Sequence, residues 1–276
     1  MLKRDSESGN IVRQIIRNQD QQKGDATMQE INAHQRTLYE KYDFEGSRRY
    51  LDKYCKHLAC FTHRKALKIL DIGGASGYFA WILKEHFQNA QVEVYVLDSS
   101  QYDSWAEDAL GKDIHFICAS VENISTLFRE NTFDIIFANR VFHHFIDKSW
   151  KKSLQGMEAS LVAISKILKE DGMLCIMDHF YNGIVVDPAA SFIIYSLTSV
   201  KNSFFARIIK KLGAMTAGVG VCFLSEKMWM KKVTSAGFEI LNVERSACDK
   251  LKFLKKVALL CKSVSRNNII CAKPIK

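Results

Sequence analysis

The residues whose types and spacing most clearly suggest ligand binding lie where an apolar run, 68–72, meets a glycine-rich loop. The run contains an acid, Asp71, and an apolar stretch at 78–83 follows the loop. The loop residues of interest are Gly73, Gly74, Ala75 and Gly77. A strand, a glycine-rich turn and a helix place free N–H groups and close-lying backbone beside a ligand. The pattern predicts a nucleotide-like ligand at the carboxyl edge of a parallel sheet.

A second acid, Asp98, ends the next apolar run, 92–97, and Ser99 follows it. A carboxylate at this strand tip is placed to bind two ribose hydroxyls, although an acid here can also cap the next helix. The third run, 114–119, leads into Ser120 and Val121. Because parallel strands end at one edge of a sheet, these two residues are expected at the same edge as Asp71 and Asp98.

Groups that can bind a ligand or move a proton follow the next two apolar runs. The run 134–138 is followed by Asn139 and then by the adjacent histidines His143 and His144. The run 173–177 is followed by Asp178 and His179. Because histidine exchanges protons near neutral pH, this edge is also a candidate site of acid–base chemistry.

In this order, the motifs resemble those of class I S-adenosyl-L-methionine-dependent methyltransferases over about residues 67–177. The loop resembles the family motif D/E-x-G-x-G-x-G, with Ala75 where the middle glycine usually stands. The resemblance implies a doubly wound α/β fold with a mostly parallel seven-stranded sheet, and S-adenosyl-L-methionine as cofactor. It implies that the cofactor is bound by Asp71, Gly73, Gly74, Ala75, Gly77, Asp98, Ser99, Ser120, Val121 and Asn139.

The histidine pair resembles a second feature of the family. Small-molecule O-methyltransferases have a Val-Leu-His-Asp-Trp type sequence here, in which the histidine acts as a base, and His143 matches that histidine. The predicted catalytic residues are His143, His144, Asp178 and His179, with Asp178 or His179 as a second base or an orienting group. The alternative is that the histidines cap a helix or pack in the core.

Hydrophobic patterning divides the chain into four segments. Residues 1–66 predict a helical N-terminal arm and cap, and residues 67–179 alternate strands with helices as a cofactor-binding core. Residues 180–224 predict an inserted helical lid, and residues 225–276 the end of the core sheet. The predicted strands are 66–72, 92–97, 114–119, 134–138, 173–177, 238–243 and 269–272. The predicted helices are 78–87, 102–110, 149–169 and 226–236, with a short turn at 125–129.

Composition indicates a folded cytoplasmic protein. The chain of 276 residues is 47% hydrophobic, and its polar N-terminus does not resemble a signal peptide. No apolar run reaches the roughly 20 residues that span a bilayer. The eight cysteines form no C-x-x-C pair, which predicts reduced thiols and no metal site.

Charge is concentrated at the C-terminal end. Residues 245–276 contain nine Lys or Arg and one acid, whereas the preceding residues contain 30 Lys or Arg and 29 acids. This segment is either a solvated lysine face or a surface for an acidic partner such as a membrane, a phosphorylated substrate or RNA.

The predicted reaction is methyl transfer to a small hydrophobic or aromatic acceptor. O-methylation is the first choice and C-methylation of an activated ring or enol the second, and the oligomeric state is left open. One alternative is an RNA or protein methyltransferase that uses the basic segment, although no Asn/Asp-Pro-Pro-Tyr motif follows the fourth strand. The other is a non-catalytic homologue that only binds the cofactor, to which Ala75 and Ser120 would point.

Overall fold

A computed structural model provides the structure of the protein and describes residues 33–102, 105, 113–184, 186–211, 216–249 and 253–274. Within these residues the strands are β1 Ala66–Ile72, β2 Gln91–Asp98, β3 Ile114–Cys118, β4 Phe133–Asn139, β5 Leu168–Gly183, β6 Glu239–Glu244 and β7 Cys261–Ala272. The α-helices are α1 Ala33–Leu58, α2 Tyr78–His86, α3 Ile124–Leu127, α4 Trp150–Ile167, α5 Asp187–Thr198, α6 Ser203–Lys211, α7 Glu226–Ser235 and α8 Phe253–Ala258. Short 3-10 helices lie at Ala59–Phe61, Val121–Asn123 and Phe142–His144.

The strands form one seven-stranded sheet in the order β3-β2-β1-β4-β5-β7-β6. The first five strands are parallel, and β7 runs antiparallel to both of its neighbours. The chain crosses from β1 to β2 on one side and later from β3 to β4 on the other, so β1 and β4 flank the switch point of the sheet. Ligands of open α/β sheets bind beyond the carboxyl ends of the strands at such a point.

Side chains alternate between the two faces along each strand, and an apolar cluster of strand and helix residues buries each face. On β1, Ile69 belongs to one apolar cluster and Leu70 to the other, and both are fully buried. The cluster around Ile69 includes Tyr54 of α1, whose ring lies 5.2 Å from that of Phe137 on β4. Helix α1 therefore packs on the sheet beside the switch point.

The predicted fold class and sheet are confirmed, and β1 has the predicted limits. Two strands are longer than predicted. Strand β5 continues to Gly183 and β7 begins at Cys261, because these strands pair from Met173 with Ala272 to Gly183 with Cys261. The polar run 262–268 concealed the first half of β7 from a search for apolar runs. Residues 180–183 thus belong to β5, and the assignment of these residues to the insertion was wrong.

The remaining differences at helix and strand ends are small. Helix α4 ends at Ile167, two residues before the predicted limit, because β5 starts directly at Leu168. Most of the predicted helix 102–110 and the arm at 1–32 lie outside the described residues. Among the described helices, none combines the length and apolar character that crossing a bilayer requires.

Candidate functional site

A cavity of about 640 Å³ opens at the carboxyl edge of the sheet. One half is lined by the tips of β1, β2 and β4 together with the glycine-rich loop and α1. The other half is lined by the loop after β4, by His179 of β5, by residues between 195 and 201 and by residues between 216 and 223. These two parts are called the cofactor half and the acceptor half below.

Two positions of the glycine loop in the cofactor half have no room for a side chain. Gly73 has φ +70°, and its N–H donates to the carbonyl of Leu97 over 2.7 Å. A Cβ atom on Gly73 would lie 2.4 Å from Cγ2 of Val141. A Cβ atom on Gly74 would lie 2.5 Å from Oδ2 of Asp71. Glycine therefore leaves the loop backbone itself as the wall of the cavity.

Asp98 fixes the shape of this loop. One carboxylate oxygen accepts from the N–H of Ala75 over 3.1 Å, and the other accepts from the N–H of Ser100 over 3.0 Å. Ala75 has φ +46°, a left-handed conformation that glycine adopts at lower cost. Its carbonyl accepts from Nε1 of Trp105 over 2.8 Å. Alanine thus holds a backbone conformation that would cost less with glycine, the residue that the family motif has at this position.

Asn139 provides a donor at the tip of β4. Its Oδ1 accepts from the hydroxyl of Tyr54 over 2.8 Å, whereas its buried Nδ2 has no hydrogen-bond partner among the described residues. Burial raises the pKa of Tyr54 well above its ordinary value, so its hydroxyl stays a neutral donor. Buried polar groups are normally paired, so an unpaired amide N–H₂ on a residue of the cavity wall suits a ligand acceptor such as a carboxylate.

The cofactor half fits the group that the sequence resemblance implies. S-adenosyl-L-methionine has a carboxylate at its amino-acid end, which matches the available donor of Asn139. Its ribose hydroxyls match the acidic side chain of Asp98, which lines the cavity. The side-chain-free wall at Gly73 and Gly74 lets a ligand of this size reach the backbone.

The acceptor half contains a histidine–aspartate pair. Nδ1 of His143 lies 2.7 Å from Oδ1 of Asp178, and the backbone N–H of His143 donates to Oδ2 of the same carboxylate over 3.3 Å. Both side chains are buried, and His143 lines the cavity. An ionised carboxylate only accepts hydrogen bonds, so the pair favours the proton on Nδ1 and leaves Nε2 as the basic atom.

The environment keeps Asp178 ionised. Burial alone would raise the pKa of its carboxyl, but the charge of His143 and hydrogen bonds from His143 and from the N–H of His179 outweigh burial and lower that pKa. An ionised, fixed carboxylate orients the imidazole and stabilises its protonated form.

The two other predicted histidines, His144 and His179, are both neutral because burial disfavours their charged forms. Burial, aided by neighbouring His143, lowers the pKa of His144 to about 3. Burial likewise lowers the pKa of His179 to about 4, although Asp178 opposes this shift. The rings of His143 and His144 lie 4.1 Å apart, and both histidines and His179 line the cavity. His144 and His179 are therefore hydrogen-bonding or packing groups near neutral pH.

The structure does not bring every predicted cofactor residue to the cavity wall. Asp71, Gly73, Gly74, Ala75, Asp98, Ser99, Val121 and Asn139 line it. Gly77 instead precedes α2 with φ +84°, where it lets the chain turn into the helix. Ser120 precedes a 3-10 helix, and its hydroxyl accepts from the N–H of Glu122 over 3.3 Å. Its neighbours Ala119 and Val121 line the cavity.

Several cavity residues were missed from the sequence. Tyr50 lies on α1, which the sequence predicted as part of a helical cap without assigning Tyr50 to the site. Its hydroxyl accepts a hydrogen bond from Arg140 over 3.3 Å. Phe223 stacks on His143 with ring centroids 4.6 Å apart. The N–H of the next residue back, Cys222, donates to the carbonyl of His143 over 2.9 Å. These contacts link segments far apart in the chain, and no local motif marks them.

Comparison with known proteins agrees with this geometry. Residues 70–176 match the family model described as "Methyltransferase domain". No curated protein sequence matches the chain. The fold is similar to that of the YcgJ protein from Bacillus subtilis, with a TM-score of 0.55 and 15% identity, covering 83% of this chain and 100% of that chain.

Two further solved structures share the fold. One is CrArsM, an arsenic(III) S-adenosylmethionine methyltransferase from Chlamydomonas reinhardtii, with a TM-score of 0.50 and 15% identity over 76% of this chain and 64% of that chain. The other is the (4+2)-cyclase SpnF, with a TM-score of 0.50 and 14% identity over 78% and 77%. At these identities the likeness concerns the fold.

Proposed function

We propose that this chain, which is a class I S-adenosyl-L-methionine-dependent methyltransferase, methylates an oxygen atom of a small hydrophobic or aromatic acceptor. His143 acts as the general base, and Asp178 is the residue that positions it. The observation that carries the proposal is the 2.7 Å contact between Nδ1 of His143 and Oδ1 of Asp178 at the wall of the acceptor half.

In the proposal, the cofactor half binds S-adenosyl-L-methionine. Asn139 would hold the amino-acid end of the cofactor, Asp98 would hold the ribose, and Val121 would lie beside the adenine ring. The loop at Gly73 and Gly74 would lie along the middle of the molecule. When bound, S-adenosyl-L-methionine supplies a methyl group on a positively charged sulfur, which a nucleophilic oxygen can attack in line. Most of the rate acceleration in such a site comes from holding the acceptor in position.

Proton removal is the task of the acceptor half. A phenol or enol hydroxyl is a poor nucleophile until its proton is taken, and Nε2 of His143 is the available basic atom. Asp178 holds the imidazole in the tautomer that makes Nε2 basic and stabilises the positive charge that forms. General base catalysis of this kind contributes about 10²–10⁴-fold to a rate.

The lining of the acceptor half favours an apolar ligand. Phe145, Ile146, Val219 and Phe223 contribute apolar surface. The hydroxyl of Tyr195 is already engaged, because it donates to the carbonyl of Asp147 over 2.7 Å. The same half also contains the charged residues Asp147, Lys148 and Lys201. Pockets that combine apolar walls with a small number of polar groups suit small hydrophobic or aromatic molecules. Residues 184–224 form the roof of this half in the proposal and act as its lid.

Methyl transfer from carbon-13-labelled S-adenosyl-L-methionine into an extract of small metabolites tests the proposal. The carbon-13 shift of the product methyl group identifies the methylated atom, which we expect to be oxygen. We expect His143→Ala to reduce product formation by about 10²–10⁴-fold. His63→Ala, at an exposed histidine outside the cavity, is the matched control. A methyl group on carbon or nitrogen, or full activity of His143→Ala, would refute the proposal.

A further inference from the structure

Exposed apolar side chains are concentrated in one part of the molecule. Of the ten large apolar residues that are exposed among the described residues, eight lie on residues 184–208 or 257–260. They are Ile184, Val186, Phe192, Leu197, Phe204, Ile208, Val257 and Leu260. We call these eight the docking surface. Phe204 is 64% exposed, which is the largest value among them. Contiguous exposed apolar surface marks an interaction site more often than scattered residues do.

The topology of the sheet brings the two segments together. Strand β5 leads into α5, and α8 leads into β7, and these antiparallel strands meet where Gly183 pairs with Cys261. The N–H of Ile184 donates to the carbonyl of Leu260 over 2.9 Å. Ala190 of α5 belongs to the same apolar cluster as Cys261. The docking surface is therefore shared by the insertion and α8, at the cavity edge of the sheet.

The same segments are strongly basic. Residues 184–211 and 250–262 together contain nine Lys or Arg and one acid, Asp187. Asp187 accepts a hydrogen bond from the hydroxyl of Ser225, so it is held within the fold. On α6, Arg207 and Lys210 are exposed beside the apolar residues Phe204 and Ile208. Apolar residues flanked by cations are typical of helices that lie in the interface of an anionic membrane.

We propose that the docking surface binds the face of an anionic phospholipid bilayer. The apolar side chains would enter the boundary between headgroups and acyl chains, while the lysines and arginines contact lipid phosphates. The phosphates of RNA would pair with the lysines and arginines, but RNA offers no apolar phase in which exposed Ile, Val and Leu side chains could be buried. A second copy of the chain would bring two basic surfaces together, which like charges oppose.

The position of the surface connects it to the cavity. A Cβ atom on Gly218, which lines the cavity, would contact Ala206 of α6 at 3.5 Å. Helix α6 thus packs on the outside of the cavity roof. Membrane binding would place the acceptor half next to a hydrophobic phase. The idea that this phase supplies the methyl acceptor rests on the proposed function. Membrane binding does not depend on the proposed function, and it is therefore tested without measuring turnover.

Co-sedimentation of the full chain with vesicles tests the proposal. The two vesicle types are phosphatidylcholine alone and phosphatidylcholine mixed with phosphatidylserine. We expect binding to the mixed vesicles that weakens with added salt, because part of the attraction is electrostatic. The double variant Phe204→Ser/Ile208→Ser should lower partitioning by at least about tenfold, because two apolar anchors are lost. Arg207→Gln should lower it about fivefold, as expected for one charge near the surface.

The matched control is Val162→Ser/Leu241→Ser, which removes the two other large apolar residues that are exposed in the described part of the chain. It should bind vesicles within about twofold of the wild type, since Val162 lies on α4 and Leu241 on β6, outside the segments that form the docking surface. Affinity for S-adenosylhomocysteine confirms that each variant is folded. Three results would overturn the proposal. They are absence of binding to mixed vesicles, equal losses in both double variants, and a dimer in solution that Phe204→Ser/Ile208→Ser dissociates.

Discussion

The two halves of the cavity are built in different ways. The cofactor half is formed by short segments that directly follow β1, β2 and β4, and its shape depends on backbone conformation at Gly73 and on the Asp98 contacts with the loop. The acceptor half is formed by side chains from distant segments. His143 meets Asp178, 35 residues away, and stacks on Phe223. In the proposed function, backbone geometry serves cofactor binding and buried ionisable groups serve proton transfer.

This difference has consequences for how each half responds to change. A site that is defined by backbone is sensitive to added atoms. A site that is defined by buried histidines and a carboxylate is sensitive to pH, because each protonation changes a charge in a place of low polarity. The predictions below use this contrast, in order of decreasing effect.

The largest expected effect is the loss of stability in acid. Burial lowers the pKa of His144 to about 3 and of His179 to about 4, below the unfolded value of about 6.5. The unfolded chain therefore binds these protons first, and the free energy of unfolding falls as the pH drops below about 6.5. Between pH 7 and pH 5 we expect a loss of about 2–4 kcal/mol, measured by urea unfolding. His144→Gln should remove about half of it.

A pH dependence that is the same in His144→Gln and the wild type would show that the acceptor half is not its source. Asp178, whose pKa is lowered, acts in the same direction but only at more acidic pH.

The next effect belongs to the cofactor half. Gly73→Ala places a methyl group 2.4 Å from the Val141 side chain at φ +70°. We expect the free energy of unfolding to fall by about 1–3 kcal/mol, with weaker binding of S-adenosylhomocysteine measured by calorimetry. Gly156→Ala is the control, because nothing lies within 4 Å of an added Cβ there. Within α4 it should stabilise the protein by about 0.5–1 kcal/mol. Similar results at both positions would contradict a backbone-defined loop.

The smallest effect concerns the departure from the family motif. Ala75→Gly relieves a left-handed alanine at φ +46°, at the cost of a more flexible unfolded chain. The two contributions nearly cancel, and we expect a change in unfolding free energy of at most about 1 kcal/mol. Thermal unfolding measures it. Cofactor affinity should stay within about twofold, because the N–H contact of residue 75 with Asp98 does not need a side chain. A large loss of affinity would mean that the Ala75 methyl group itself contacts the ligand.

The same contrast explains what the sequence could predict. The cofactor half could be located from sequence because Asp71, the glycines and Asp98 each follow an apolar run, and parallel strands end at one edge. His143 and Asp178 were selected for the same reason, but their direct contact was not predicted. The contact of Phe223 with His143 and that of Tyr54 with Asn139 were not predicted, since both depend on packing between segments that carry no local motif. The length of β7 was missed because half of it is polar.

Measuring cofactor affinity and turnover in the same three proteins tests the division of labour most directly. The proteins are Asp98→Ala, His143→Ala and the double variant. Asp98→Ala should weaken S-adenosylhomocysteine binding at least about tenfold, since hydrogen bonds to a charged group contribute about 1.5–3 kcal/mol each. His143→Ala should lower kcat by about 10²–10⁴-fold with that affinity within about twofold. The double variant should show both losses, added independently. If His143→Ala weakens cofactor binding as much as Asp98→Ala does, the two halves are not separate and the account is contradicted.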